Sequence, residues 1–140
     1  MKTIIDTTYF KAREILKSKK GEELGIDNTP SDPEIIDNIN FTLKKLNNIR
    51  TGYGNPIYIT SGYRCDELNT LVGGAKDSWH KKGLAVDLKW DYDLITYLIQ
   101  NCSFDKLIRE RKGDTLWIHL QFYKDQSKNR QKVLFLNKKY

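Results

Sequence analysis

The sequence predicts an α+β domain. Helix-period apolar patterns come first, strand-period patterns dominate later, and 140 residues suit one hydrophobic core. Such a length buries roughly two-thirds of its unfolded surface, so no disulfide is needed to hold it. The composition is 39% apolar and 30% charged, with three Pro and nine Gly, which is neither disordered nor collagenous. The expected architecture is a single domain spanning 1–140, with a core over about 10–122 and a basic strand and tail over 123–140. An antiparallel sheet with helices packed on one side is expected, and a monomer.

The elements follow in order. Phe10–Ser18 reads as a short helix with Phe10, Ile15 and Leu16 turned inward. Gly21–Pro30 is rich in turn formers and reads as a loop. Ser31, Pro33 and Glu34 then spell a capping box and a first-turn proline. Ile36, Ile39, Leu43 and Leu46 recur at helical spacing behind it, and Gly52 and Gly54 are expected to end that helix. Ile57–Ser61 is β-branched and aromatic, hence a strand. Cys65–Val72 is a short helix stopped by Gly73 and Gly74. Ala75–Gly83 reads as an irregular loop, and Leu84–Lys89 alternates as a strand. Leu94, Ile95, Leu98 and Ile99 mark a helix over Asp93–Asn101. Phe104–Glu110, Thr115–Gln121 and Lys132–Leu136 are three more strands, close enough in sequence for an antiparallel meander.

Charge and cysteines bound the function. The net charge is +6, and the segment from Lys124 to Tyr140 carries +5 of it. A basic segment suits polyanions, and a solubilising terminus explains it equally well. No nucleic-acid motif accompanies it, so no specific nucleic acid is expected. No apolar run approaches the ~18 residues of a membrane span. The N-terminus is too short and too soon charged for a secretory signal, so synthesis in the cytoplasm is expected. Cys65 and Cys102 fit no zinc spacing and read as reduced thiols.

The chemistry gathers around two histidines. His80 precedes Asp87 by seven residues, and His119 sits in an otherwise apolar strand. Trp117, His119 and Gln121 share one strand face, while Leu116, Ile118 and Leu120 share the other. Asp87 likewise faces away from Val86 and Leu88. The polar residues can therefore meet in one cleft while their neighbours fill the core. Two imidazoles and a carboxylate with one position open suit catalytic zinc. Such an ion polarises a carbonyl and lowers the pKa of bound water towards 7. By spacing alone, a structural role for each residue stands beside this reading.

A longer pattern weighs in its favour. Ile59-Thr60-Ser61-Gly62-Tyr63-Arg64, Leu68-Asn69, Val72-Gly73-Gly74, Ser78-Trp79-His80, Gly83, Ala85-Val86-Asp87 and Trp117-Ile118-His119 stand in order. Together they resemble the zinc D-Ala-D-Ala carboxypeptidase family, of the wider group that includes lysostaphin and the hedgehog signalling domain. The resemblance runs from about Phe10 to Phe122. It extends through Leu24–Pro30 and Phe104-Asp105-Lys106-Leu107-Ile108. It implies a zinc site in a cleft on the sheet, with His80, Asp87 and His119 as ligands. It also implies a peptidase acting on peptidoglycan stem peptides.

Further roles follow from that resemblance. Arg64 would steady the oxyanion of the tetrahedral intermediate, with a structural ion pair as the plainer alternative. Ser78 and Tyr63 are candidate substrate contacts beside Arg64, although bracing the site suits Tyr63 and Asn69 better. Trp79 and Trp117 fit either the cleft wall or ordinary packing. Many relatives carry a catalytic carboxylate three residues before the last histidine, where this chain has Leu116. Glu110 is the favoured general base, and Asp114, in a turn where Asp is common, is the alternative. Without either, the chain would be a zinc-binding module that binds a partner or the cell wall.

The whole reading is a phage or prophage lysis enzyme, either a D-Ala-D-Ala carboxypeptidase or an L-Ala-D-Glu type endopeptidase. It would reach the wall on release or travel in a virion. Its basic tail would contact anionic wall polymer.

Overall fold

The computed structural model of the chain describes residues 2–138. Five strands form one sheet in the order β1-β2-β4-β3-β5. They are β1 (Ile59–Ser61), β2 (Ala85–Lys89), β3 (Lys106–Lys112), β4 (Thr115–Gln121) and β5 (Lys132–Lys138). Five helices accompany them: α1 (Ala12–Leu16), α2 (Lys19–Glu23), α3 (Pro33–Tyr53), α4 (Asp66–Leu71) and α5 (Tyr92–Asn101).

The α+β class holds, but the meander does not. β1, β2, β4 and β3 are antiparallel to their neighbours, whereas β5 pairs in parallel with β3. The chain leaves β4 at one end of the sheet, passes over a 3-10 turn at Gln126–Lys128, and re-enters on the outer edge of β3. The edge of β4 that a meander would use is already filled by β2.

One sheet face and the helices enclose the core. Val86 and Leu88 of β2, and Ile118 and Leu120 of β4, are fully buried in one cluster with Ile39, Leu43 and Leu46 of α3. Leu94 and Leu98 of α5 and Phe10 and Ile15 near α1 complete it. Leu16 packs at its margin, while Ile99 of the expected α5 stripe is 42% exposed. Burying a Leu or Ile side chain here contributes about 1.5–3 kcal/mol.

The helix ends correct the reading at two points. Asp32, rather than Ser31, caps α3, accepting from Glu34 N–H at 2.9 Å. Pro33 then occupies the first turn. Gly52 lies inside α3, and only Gly54, at φ +81°, ends it. The loop expected at Gly21–Pro30 is shortened by α2, which Ser18 caps through Gly21 N–H.

The segment before β2 is ordered as well. Trp79–Lys82 forms a 3-10 turn, where an irregular loop was expected. α3 holds it from below. Thr42 donates to Gly83 O at 2.7 Å, and Asn38 donates to Lys82 O at 2.9 Å. Gly83 sits at φ +78°, and a Cβ there would lie 2.7 Å from Ile39 Cγ1. Only glycine meets both demands without strain.

Gly83→Ala should therefore destabilise the fold by about 2 kcal/mol. Urea unfolding of the variant against the parent chain measures it, and an unchanged midpoint would refute the tight packing of this turn on α3.

Candidate metal centre

Three elements deliver three side chains to one point. β2 and β4 pair with Asp87 directly opposite His119. Their neighbours in each strand fill the core, so alternation sends Asp87 and His119 to the other face. His80 arrives from the 3-10 turn. His80 Nε2 lies 3.3 Å from Asp87 Oδ1, and His119 Nδ1 lies 3.3 Å from the same oxygen. Ligand atoms from all three lie within 4.8 Å of one another. Tetrahedral zinc with bonds of roughly 2.0–2.2 Å sets neighbouring donors about 3.4 Å apart.

The hydrogen bonds on the far side of each ring fix which nitrogen faces the centre. His80 Nδ1–H donates to Gly62 O at 2.8 Å, which leaves the Nε2 lone pair facing Asp87. The glycine matters here, because a Cβ at position 62 would lie 2.2 Å from Ile15 O.

His119 is fixed by a longer chain of contacts. Arg130 grips Asp105 through Nε and a terminal nitrogen, both at 2.9 Å. Asp105 accepts from Gln121 Nε2 at 2.9 Å. That turns Gln121 Oε1 towards His119, whose Nε2–H donates to it at 2.8 Å. The His119 Nδ1 lone pair is thus left facing Asp87. Two lone pairs directed at a buried carboxylate oxygen need a cation between them, either protons or a metal ion.

The charges bear this out. Burial works against ionised Asp87, but the two histidines outweigh it and hold its carboxyl well below the usual range. Burial likewise works against protonated His119, yet Asp87, Gln121 and Glu110 together raise its pKa. A doubly charged ion serves better than two shared protons, and the donor set of two imidazoles and one carboxylate fits zinc. The far-side contacts are those that orient ligating histidines generally.

A cleft of about 610 Å³ opens over the three residues. Arg64, Ser78, Trp79, Glu110 and Trp117 all line it. Arg64 donates to Ser78 Oγ at 3.4 Å, and its buried Nε has no partner among the described residues. Burial lowers the Arg64 pKa while Asp87 and Glu110 act the other way, so the guanidinium stays charged. Ser78 Oγ also accepts from His80 N–H at 3.2 Å, which caps the 3-10 turn.

Other expected site residues lie elsewhere. Tyr63, placed among the substrate contacts, is 7% exposed, belongs to the core cluster and does not line the cleft. Its burial raises the phenol pKa. Asn69 braces the following loop by donating to Ala75 O at 2.8 Å. Asp114 is exposed in the turn between β3 and β4, away from the cleft. Leu116 is half-buried. Cys65 and Cys102 are free thiols.

Gln121, Asp105 and Arg130 were not anticipated as supports of the site. Gln121 had a signal, since it shares a strand face with His119. Asp105 and Arg130 had none, because their pairing spans 25 residues and exists only once β5 has docked.

A sheet that carries an ordered His-Asp-His cluster beneath an open cleft defines a candidate mononuclear metal centre. The family comparison agrees with that class. The model for peptidase M15 matches residues 8–121, and the chain belongs to this family of zinc-dependent peptidases. No curated protein matches the chain. Among the described residues, no helix is long and apolar enough to cross a membrane.

Two outcomes test the supporting contacts. Gln121→Leu should weaken zinc binding about 10–100-fold in a chelator competition, with the fold retained. Asp105 has its pKa lowered, chiefly by Arg130. Its stabilisation is therefore present above about pH 4 and lost as pH falls through the lowered folded value. Melting temperatures should drop in that acid range, and Asp105→Asn should flatten the drop. An unchanged acid profile would show that the pair of buried Asp105 and exposed Arg130 adds no net stability.

Proposed function

We propose that this chain is a zinc peptidase that hydrolyses bonds in the stem peptides of bacterial peptidoglycan. The observation that carries the proposal is the convergence of His80, Asp87, His119, Arg64 and Glu110 on one cleft, in a chain of a peptidase family.

His80, Asp87 and His119 would hold the metal. A zinc ion held there supplies Lewis acidity towards a peptide carbonyl and towards water. Glu110 takes a proton from the attacking water and passes it to the leaving amine. Arg64 donates to the carbonyl oxygen as negative charge develops on it. Ser78 steadies the Arg64 fork and offers its hydroxyl to the substrate backbone. One water is consumed, and a carboxylate and an amine are released.

Glu110 is preferred over Asp114 because it lines the cleft and its charge acts on both Arg64 and His119. The bond cut is of the D-Ala-D-Ala or the L-Ala-D-Glu type. A phage or prophage lysis enzyme is the setting we favour. The basic segment contributes less free charge than its composition suggests. Arg130 is engaged with Asp105, and Lys138 sits at the cleft. Lys124, Lys128 and Lys132 remain exposed for anionic wall polymer.

Zinc-loaded protein should release new peptide termini from purified peptidoglycan, identified by mass spectrometry. Glu110→Gln should lower that rate about 10²–10⁴-fold while zinc binding persists. A parent chain that holds zinc yet releases nothing from several wall types would make it a binding module instead.

A further inference from the structure

β5 lies beyond the family-matched residues, which end at 121, yet it reaches the cleft. It runs parallel to β3, with Lys106 opposite Lys132 and Lys112 opposite Lys138. Val133 packs against the core cluster, and Arg109 stacks on Phe135 at 5.0 Å. Alternation therefore puts Val133, Phe135 and Asn137 on the core side, and Lys132, Leu134, Leu136 and Lys138 on the cleft side.

Like charges side by side on adjacent strands repel. The Lys112–Lys138 pair is only half compensated. Lys138 Nζ lies 3.6 Å from Glu110 Oε1 and 5.5 Å from the centre of the Trp117 ring. Lys112 makes no ion pair among the described residues. Lys106, Lys112, Lys138 and Arg64 all line the cleft, against Asp77, Asp87 and Glu110. Asp87 is already committed to the two histidines. The β5 side of the cleft is thus a cationic rim with too few anions to neutralise it.

We propose that Lys112 and Lys138 form a carboxylate subsite, and that the peptide this cleft takes bears a free carboxylate on its β5 side. The peptide nature of the ligand rests on the peptidase reading above; the new element is that Lys112 and Lys138, the latter outside the family-matched residues, hold its carboxylate. One carboxylate between the two ammonium groups satisfies Lys112 and relieves the repulsion between the strands. The Trp117 ring holds Lys138 extended over the cleft while Glu110 stays within its reach. A lysine is a point charge without a planar fork, so the subsite reads charge more than shape.

Equilibrium binding to the full chain tests this. Two matched short peptides are compared, one with acidic side chain and free C-terminus, the other with carboxamides at both. Tryptophan fluorescence and calorimetry follow binding to the parent chain, Lys112→Gln, Lys138→Gln and the double variant. Both lysines are exposed, so folding should survive, and melting temperatures confirm it. The acidic peptide should bind the parent about tenfold more tightly, lose about threefold with each substitution and about tenfold with both. The carboxamide peptide should bind all four proteins alike. Equal affinity of the two peptides for the parent, including no detectable binding of either, overturns the proposal. So does a matching loss for both peptides in the double variant, which would assign Lys138 to holding Glu110 or β5. Selective binding by a chain that, loaded with zinc, releases nothing from peptidoglycan would sink the peptidase reading alone; release from peptidoglycan without charge selectivity would sink this one alone.

Discussion

Asp87 faces His119 across two antiparallel strands, and the site is arranged around that contact. A carboxylate in this setting is costly unless cations meet it. His80 and His119 both turn a ring nitrogen to the same Asp87 oxygen. A one-residue slip of β2 on β4 would send Asp87 into the core and Val86 and Leu88 into the cleft, away from His119 and Ile118. The hydrophobic face of the sheet and its polar face therefore enforce one another.

The histidine nitrogens that face Asp87 are selected from behind. Gly62 O takes one histidine proton, and the Gln121–Asp105–Arg130 chain takes the other. The His80 contact depends on close approaches elsewhere. Gly62 must have no side chain because Ile15 presses on it, and Gly83 must have none because Ile39 does. Packing against α1 and α3 is thus transmitted to the orientation of His80. Fully buried Ile15 and Ile39 back the site from the core side.

β5 joins the two halves of the site. Just before it, Arg130 reaches Asp105 on the side of His119, and its last described residue, Lys138, reaches Glu110. It is also an exposed edge, with Phe135 and Leu136 largely open to solvent. Lysines at both of its ends oppose edge-to-edge association. Of these two, only Lys138 also lines the cleft.

The sequence by itself missed α2 and the 3-10 turn at Trp79–Lys82. It determined the five strands, the long helix α3 with its stripe, the alternation of β2 and β4, and the polar residues those strands expose. These are local properties, written in periods of 3.6 and 2 residues. The ordered motif from Ile59 to His119 also marks the three residues that the fold brings together, His80, Asp87 and His119. Tertiary structure alone decided the rest. Ser31 and Asp32 are both good caps, and only the geometry of the chain entering α3 chose Asp32. Tyr63 stands in the motif beside Arg64, but alternation along the chain turned it into the core. Strand order was not legible, because whether β5 joins β4 or β3 depends on which edge is already occupied. For the same reason Arg130 and Lys138 looked like a basic tail. Their roles arise from contacts spanning 25 to 28 residues, which no local pattern encodes.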